Sequence, residues 1–185
     1  MNSEFTCVAS ILRHLERSDS SLCCHIGSEN VFTVSESLID KLQTSGSTAR
    51  FANCFTPKPR WLNRIFPLST VDWFSRTACC SRQTALVLIG QLPVSIHECL
   101  SYNAGNARCI LAVAALAYTR PDFLIFTTSG MDPQGMQTLQ SSVHVLCKDA
   151  RAIHVCNLPD QNKSKWKCTA HPPMECVSCT LEKDI

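Results

Sequence analysis

No stretch of this 185-residue chain is apolar for long enough to cross a bilayer. The longest such run, Cys109–Tyr118, is about half of the roughly 20 residues that a membrane helix needs. Export is not signalled either. The apolar run Phe5–Leu12 follows Glu4 and no basic residue, so a secretory signal peptide is not expected. Charge is scarce: charged residues make up 17% and the net charge is +2, too little to point to nucleic acid. With 45% hydrophobic residues the chain can bury a core, which argues against disorder. The expectation is a cytoplasmic chain, peripheral at the inner face of a membrane if it meets one. No internal repeat is visible.

Cysteine is abundant instead. Thirteen cysteines would suggest a disulfide scaffold in a small secreted protein. The count is odd and no export signal accompanies it, and Cys7, Cys99, Cys109, Cys147 and Cys156 sit among apolar residues. These are expected as reduced thiols that pack as small hydrophobes. The vicinal pairs Cys23-Cys24, followed by His25, and Cys79-Cys80 are candidate metal or redox spots, but neither has a matching second half.

Hydrophobic spacing divides the chain. Val8, Ile11, Leu12 and Leu15 predict a helix over Cys7–Arg17. Val31–Val34 is a strand candidate, and Ser35–Leu42 predicts a helix opened by a Ser cap. From Phe51 to Arg82 the chain reads as irregular, broken by Pro57, Pro59 and Pro67. In that segment Lys58, Arg60, Arg64, Arg76 and Arg82 mix with Trp61, Phe66, Trp73 and Phe74. Such mixing can bind single strands; the near-neutral charge favours a solvated or partner-docking surface. Ala85–Gly90 fits a strand or a buried helix, and Ser101–Arg108 a loop. Arg108–Tyr118 predicts a buried helix that Arg120-Pro121 ends. The run Phe123–Phe126 predicts a buried parallel strand, Met136–Lys148 a helix and Ala152–Cys156 a further strand. This alternation predicts an α/β fold with parallel strands.

The same half carries a chain of motifs. Leu100-Ser101 and Asn103–Arg108 open the helix Cys109–Tyr118; Arg120-Pro121-Asp122 and the strand Phe123–Phe126 follow, then Ser129-Gly130-Met131-Asp132-Pro133, a helix, a strand and Asn157. In this order the chain resembles the nucleotide-binding domain of ABC transporters over about Pro93–Asp160. The resemblance makes Ser101, Asn103, Ala104 and Gly105 signature-like, and Thr127 and Thr128 Walker-B-like. It makes Ser129, Gly130, Met131 and Asp132 D-loop-like, and Asn157 switch-like. Tyr102, Asn103, Gly105, Ala107 and Arg108 are also faintly similar to the corresponding loop of polysaccharide-export ATPases. Ser129–Pro133 reads equally as a helix entry, with Asp132 as cap and Pro133 in first position.

The family's chemistry is missing from these positions. A phosphate loop needs glycines, a Lys for the β and γ phosphates and a hydroxyl for magnesium. The nine residues before Ile11-Leu12-Arg13, Asn2–Ser10, offer Val8, Ala9 and Ser10, with Val8 where the Lys would stand. No Asp-Glu pair follows Phe126 to hold magnesium and position water. Asn157 stands near the switch His, and His154, inside the predicted strand, reads as a satisfied, partly buried side chain. The strands that precede the phosphate loop in that family are not recognised, so the core is expected to be P-loop-NTPase-like and truncated at its N-terminus.

The expected organisation is a degenerate ABC-ATPase-like domain over 1–160 and a Cys/His-containing tail over 161–185. In the tail Cys168, His171, Cys176 and Cys179 form Cys-x2-His and Cys-x2-Cys halves that suit a tetrahedral zinc site. The sequence reads first as a non-hydrolysing subunit with a structural or regulatory role, partnered with a membrane transporter subunit or another ATPase subunit in a homo- or heterodimer. Two alternatives stay open: an active ATP-binding subunit of a polysaccharide-type exporter, and a zinc-binding adaptor. No catalytic residue, resident cofactor or nucleic-acid partner is expected; ATP with Mg2+ and zinc are the ligands that the residues leave open.

Overall fold

The computed structural model describes residues 3–26, 30–53, 67–157 and 175–178. In chain order these form α1 (Ser3–Arg17), β1 (Leu22–His25), α2 (Val31–Thr44), β2 (Ala49–Ala52), α3 (Thr70–Thr77), α4 (Arg82–Gly90), α5 (Gly105–Tyr118), β3 (Phe123–Phe126), α6 (Pro133–Leu146), β4 (Arg151–Cys156) and β5 (Glu175–Ser178). The strands build one sheet in the order β2-β3-β4-β1-β5, and every neighbouring pair is parallel. The expected α/β fold with parallel strands is present.

A parallel sheet is covered on both faces, and the burial shows how. On one face α1 and α2 lay Val8, Ile11, Leu15, Val34 and Leu38 onto Leu22, Cys24, Ile153 and Val155. On the other, α5 and α6 lay Ile110, Val113, Leu139 and Val143 onto Leu124, Phe126 and Ala152. A third cluster joins the outer side of α5 to α3 and α4 through Leu111, Ala115, Phe74 and Ala85. Helix α5 is therefore apolar nearly all round, because it lies between the sheet and a helical pair.

Several expectations are corrected. Val31–Val34 is the first turn of α2, not a strand. Asn30 caps it by accepting from the backbone N–H of Phe32 at 2.9 Å and of Thr33 at 3.4 Å. Val31, Val34, Leu38 and Leu42 then face the core at helical spacing, so cap and packing override the β-branched run. The predicted Ser cap, Ser35, lies inside the helix and is buried. In the stretch expected as irregular, β2 and α3 are regular, α3 opened by Ser69. Phe74 is buried, whereas Arg82 stays exposed and pairs with Asp72 at 3.3 Å. Trp61 and Phe66 lie outside the described residues. Within residues 161–185, β5 joins the sheet beside β1 and places Cys176 in register with Cys23. Cys109, expected as a thiol, is disulfide-bonded.

Candidate functional site

In open α/β sheets ligands bind beyond the carboxyl ends of the strands, so that edge is the candidate site. A phosphate loop joins a strand to a helix there. The junction of that kind beside β4 is β1–α2, where Ile26, Gly27, Ser28, Glu29 and Asn30 separate His25 from Val31. These five residues include one glycine and no lysine; residues 27–29 lie outside the described ones. Val8, Ala9 and Ser10, expected as the remnant of such a loop, lie inside α1 instead. A backbone wound into a helix of 15 residues has its interior amides bonded to carbonyls and cannot wrap an anion.

After β3 the chain turns through hydroxyl residues. Thr127 and Thr128 are both buried. Thr127 Oγ1 accepts from the Ser129 N–H at 3.1 Å, and the Met131 N–H donates to Thr128 O at 3.1 Å. Gly130, with φ +82, takes the left-handed conformation that this turn needs. Thr128 Oγ1 lies 3.1 Å from Nε2 of His154 on β4. The His154 ring stacks on Phe126, with centroids 4.8 Å apart. Burial, and next the charge of His25, push its pKa down to about 4, so it is neutral near neutrality. Asn157 follows β4 and is exposed.

Asp132 caps α6. Its Oδ1 accepts from the Gly135 N–H at 2.7 Å, its Oδ2 accepts from Asn106 Nδ2 at 2.7 Å, and Pro133 takes the first helical turn. The Gly135 bond, then that to Asn106, holds the carboxyl below its usual range. A Cβ at Gly135 would lie 2.2 Å from Asn106 Cγ, so a larger residue there would displace the Asn106 side chain. The two stretches expected as D-loop-like and signature-like thus meet within one chain. Of the signature-like residues, Asn103 is buried and ties loops together: it accepts from the His97 N–H at 2.7 Å and donates to Thr70 Oγ1 at 3.0 Å. Ser101 lies beside Cys99, and Leu100–Tyr102 form a short 3-10 turn where the loop was expected to begin. Ala104 and Gly105 begin α5 without a side-chain cap.

No protein-family model and no curated protein matches the chain. Solved structures do. One, described as a metal-chelate-type ABC transporter in an inward-facing conformation, superposes with a TM-score of 0.56 at 12% identity, covering 77% of this chain and 65% of that one. Another, described as an ABC transporter ATP-binding protein from Pyrococcus furiosus, superposes with a TM-score of 0.60 at 11% identity, covering 87% of this chain and 84% of that one. The fold is that of ABC ATP-binding proteins. Identities this low establish the ABC-ATPase-like fold alone, and the chain spans just under two thirds of the first structure's length. The resemblance read from residues 93–160 is thereby upheld at the level of fold. Among the described residues, no helix is long and apolar enough to cross a membrane. A cavity of about 640 Å3, lined by Asp19, Asp122, Phe123, His144, Lys148 and Arg151 among others, opens at the amino edge of the sheet, away from the ligand-binding edge.

Of the zinc-ligand candidates in the tail, Cys176 lies on β5, while Cys168, His171 and Cys179 lie outside the described residues.

Proposed function

We propose that the chain is a non-hydrolysing ABC-ATPase-like subunit with a structural or regulatory role in a transporter or export complex. The observation that carries this is the end of β3. In this fold a magnesium-dependent ATPase sets carboxylates there to hold the metal and orient water; here Thr127 and Thr128 follow Phe126, and their hydroxyls are engaged with Ser129 and His154. Hydroxyls can accept hydrogen bonds from a nucleotide's waters but carry no charge to offset Mg2+. The β1–α2 junction supports the same reading, since it brings no lysine to a phosphate. A cytoplasmic location, a transporter or ATPase partner and a dimer belong to this proposal.

Calorimetric titration of the full chain with ATP and Mg2+ tests it. The expected result is no saturable heat up to millimolar nucleotide. Saturable binding with a Kd on the order of tens of micromolar or tighter, followed by phosphate release, would overturn it in favour of a working ATPase.

A further inference from the structure

Two adjacent strands gather four soft donors on one face of the sheet. Cys23 lies in register with His154, and His25 with Cys156. Residues two apart on a strand point the same way. A Cys-x-His on β1 therefore meets a His-x-Cys on β4, from segments 131 residues apart. The donor atoms of Cys23, His154 and Cys156 all lie within 4.8 Å of one another. Cys23 Sγ is 3.4 Å from His154 Nδ1. The His25 ring stands between the thiols, Nδ1 3.0 Å from Cys156 Sγ and Nε2 3.8 Å from Cys23 Sγ. A tetrahedral zinc, with Zn–S about 2.3 Å and Zn–N about 2.0 Å, sets sulfur-to-nitrogen edges of about 3.5 Å. The Cys23–His154 spacing matches that edge, whereas His25 reaches the two thiols through different ring nitrogens and joins the set by turning one of them to the metal.

The surroundings suit a metal. His154 turns Nε2 to Thr128 and leaves Nδ1 facing Cys23, the arrangement by which outer partners orient a ligating imidazole. Phe126 fixes the ring plane. Cys23 and Cys156 are thiols, not half-cystines. Cys23 and His154 are buried, whereas His25 and Cys156 are half-buried and open an entry path from the strand ends. The bland alternative is a set of S–H···N contacts that merely satisfies the core. Four convergent donors exceed what that needs, since the opposite face of the same strands is filled by apolar groups.

We infer that Cys23, His25, His154 and Cys156 form a tetrahedral Zn2+ site that pins β1 to β4. On binding, the two thiols release their protons to solvent and ligate as thiolates, and both imidazoles ligate neutral. Two thiolates cancel the charge of Zn2+, so the filled site is electrically neutral, as a buried site should be. Four protein ligands leave no open position, which makes the site structural, not catalytic. It sits at the carboxyl ends of β1 and β4, and its test reads a bound metal and not a nucleotide.

The test is Co2+ titration of the metal-stripped, reduced full chain, with zinc content of the untreated protein measured alongside. A single saturable equivalent with thiolate-to-cobalt charge transfer and intense tetrahedral visible bands is expected. Cys156→Ala should abolish that spectrum; His25→Gln, at the other half-buried ligand, serves if that variant does not fold. Thr128→Val, close in shape, should keep the spectrum and weaken binding by about 10–100-fold. The tail variant Cys168→Ser/Cys179→Ser should bind as the parent does. The inference is overturned if the parent shows no tetrahedral cobalt spectrum, or if the tail variant loses it while Cys156→Ala and His25→Gln keep it.

Discussion

Strands β1 and β4 present two faces of opposite character. On the α1–α2 side they show Leu22, Cys24, Ile153 and Val155, all in one apolar cluster. On the other, at the carboxyl end, they show Cys23, His25, His154 and Cys156. Backbone, length and pairing are shared, so the difference lies in side chains alone. It teaches that burial by itself does not call for the soft donors. The apolar face obtains its stability from area removed from water, and the donor face places groups whose value depends on a partner.

The largest effect should come from the apolar face. Ile153 is fully buried, so Ile153→Ala is expected to cost about 2–5 kcal/mol. That would appear as a lower denaturant midpoint at unchanged slope, with cobalt binding retained in the folded protein. A cost below about 1 kcal/mol would mean that the site collapses around the cavity and that the two faces differ less than the burial indicates. Zinc sharpens the other side. At a hundredfold excess over Kd it should stabilise the parent by about 2.7 kcal/mol and leave Cys156→Ala unmoved in a thermal melt. Equal stabilisation of both would place the metal elsewhere.

A smaller effect belongs to the turn beneath the donor face. Asp132→Ala removes the α6 cap and the tie to Asn106 and should lower the denaturant midpoint less than Ile153→Ala does, with Asp132→Asn lowering it less again. Acid should have the smallest effect. Asp122, held below its usual range by the Thr48 N–H and hydroxyl, and Asp132 are both exposed carboxylates with lowered pKa. Their contribution is complete above the unfolded carboxylate pKa and is lost as pH falls through the lowered folded values. Asp122→Asn/Asp132→Asn should therefore flatten the acid limb of stability against pH; an unchanged limb would assign it to other groups.

The elements read correctly from sequence share a physical property: their signal is local. Buried runs such as Phe123–Phe126 and the Ala- and Leu-rich α5 announce themselves, as does the periodicity of α6 and α1. What was missed depended on distant partners. Leu22–His25 and Ala49–Ala52 carry little strand character, and become strands because β4 and β3 pair with them. Val31–Val34 has strand composition and is helical because Asn30 caps it. Without a recognisable β1, the sequence offers Asn2–Ser10 as the place of the phosphate loop, although the strand-to-helix junction lies after His25. For the same reason Cys23 and His25 seemed to lack a second half, although His154 and Cys156 repeat their spacing in mirror order.

By itself the sequence determined the alternation of apolar strands and helices, and with it a parallel α/β fold; it also determined that no Asp-Glu pair follows Phe126. Those are properties of short segments, set by local periodicity and residue identity. Only the tertiary structure decided the strand order, the place of the strand-to-helix junction and the meeting of the four soft donors. Each requires β1 and β4 to lie side by side in one particular register, and a parallel pairing between remote segments leaves no mark at any fixed spacing along the chain.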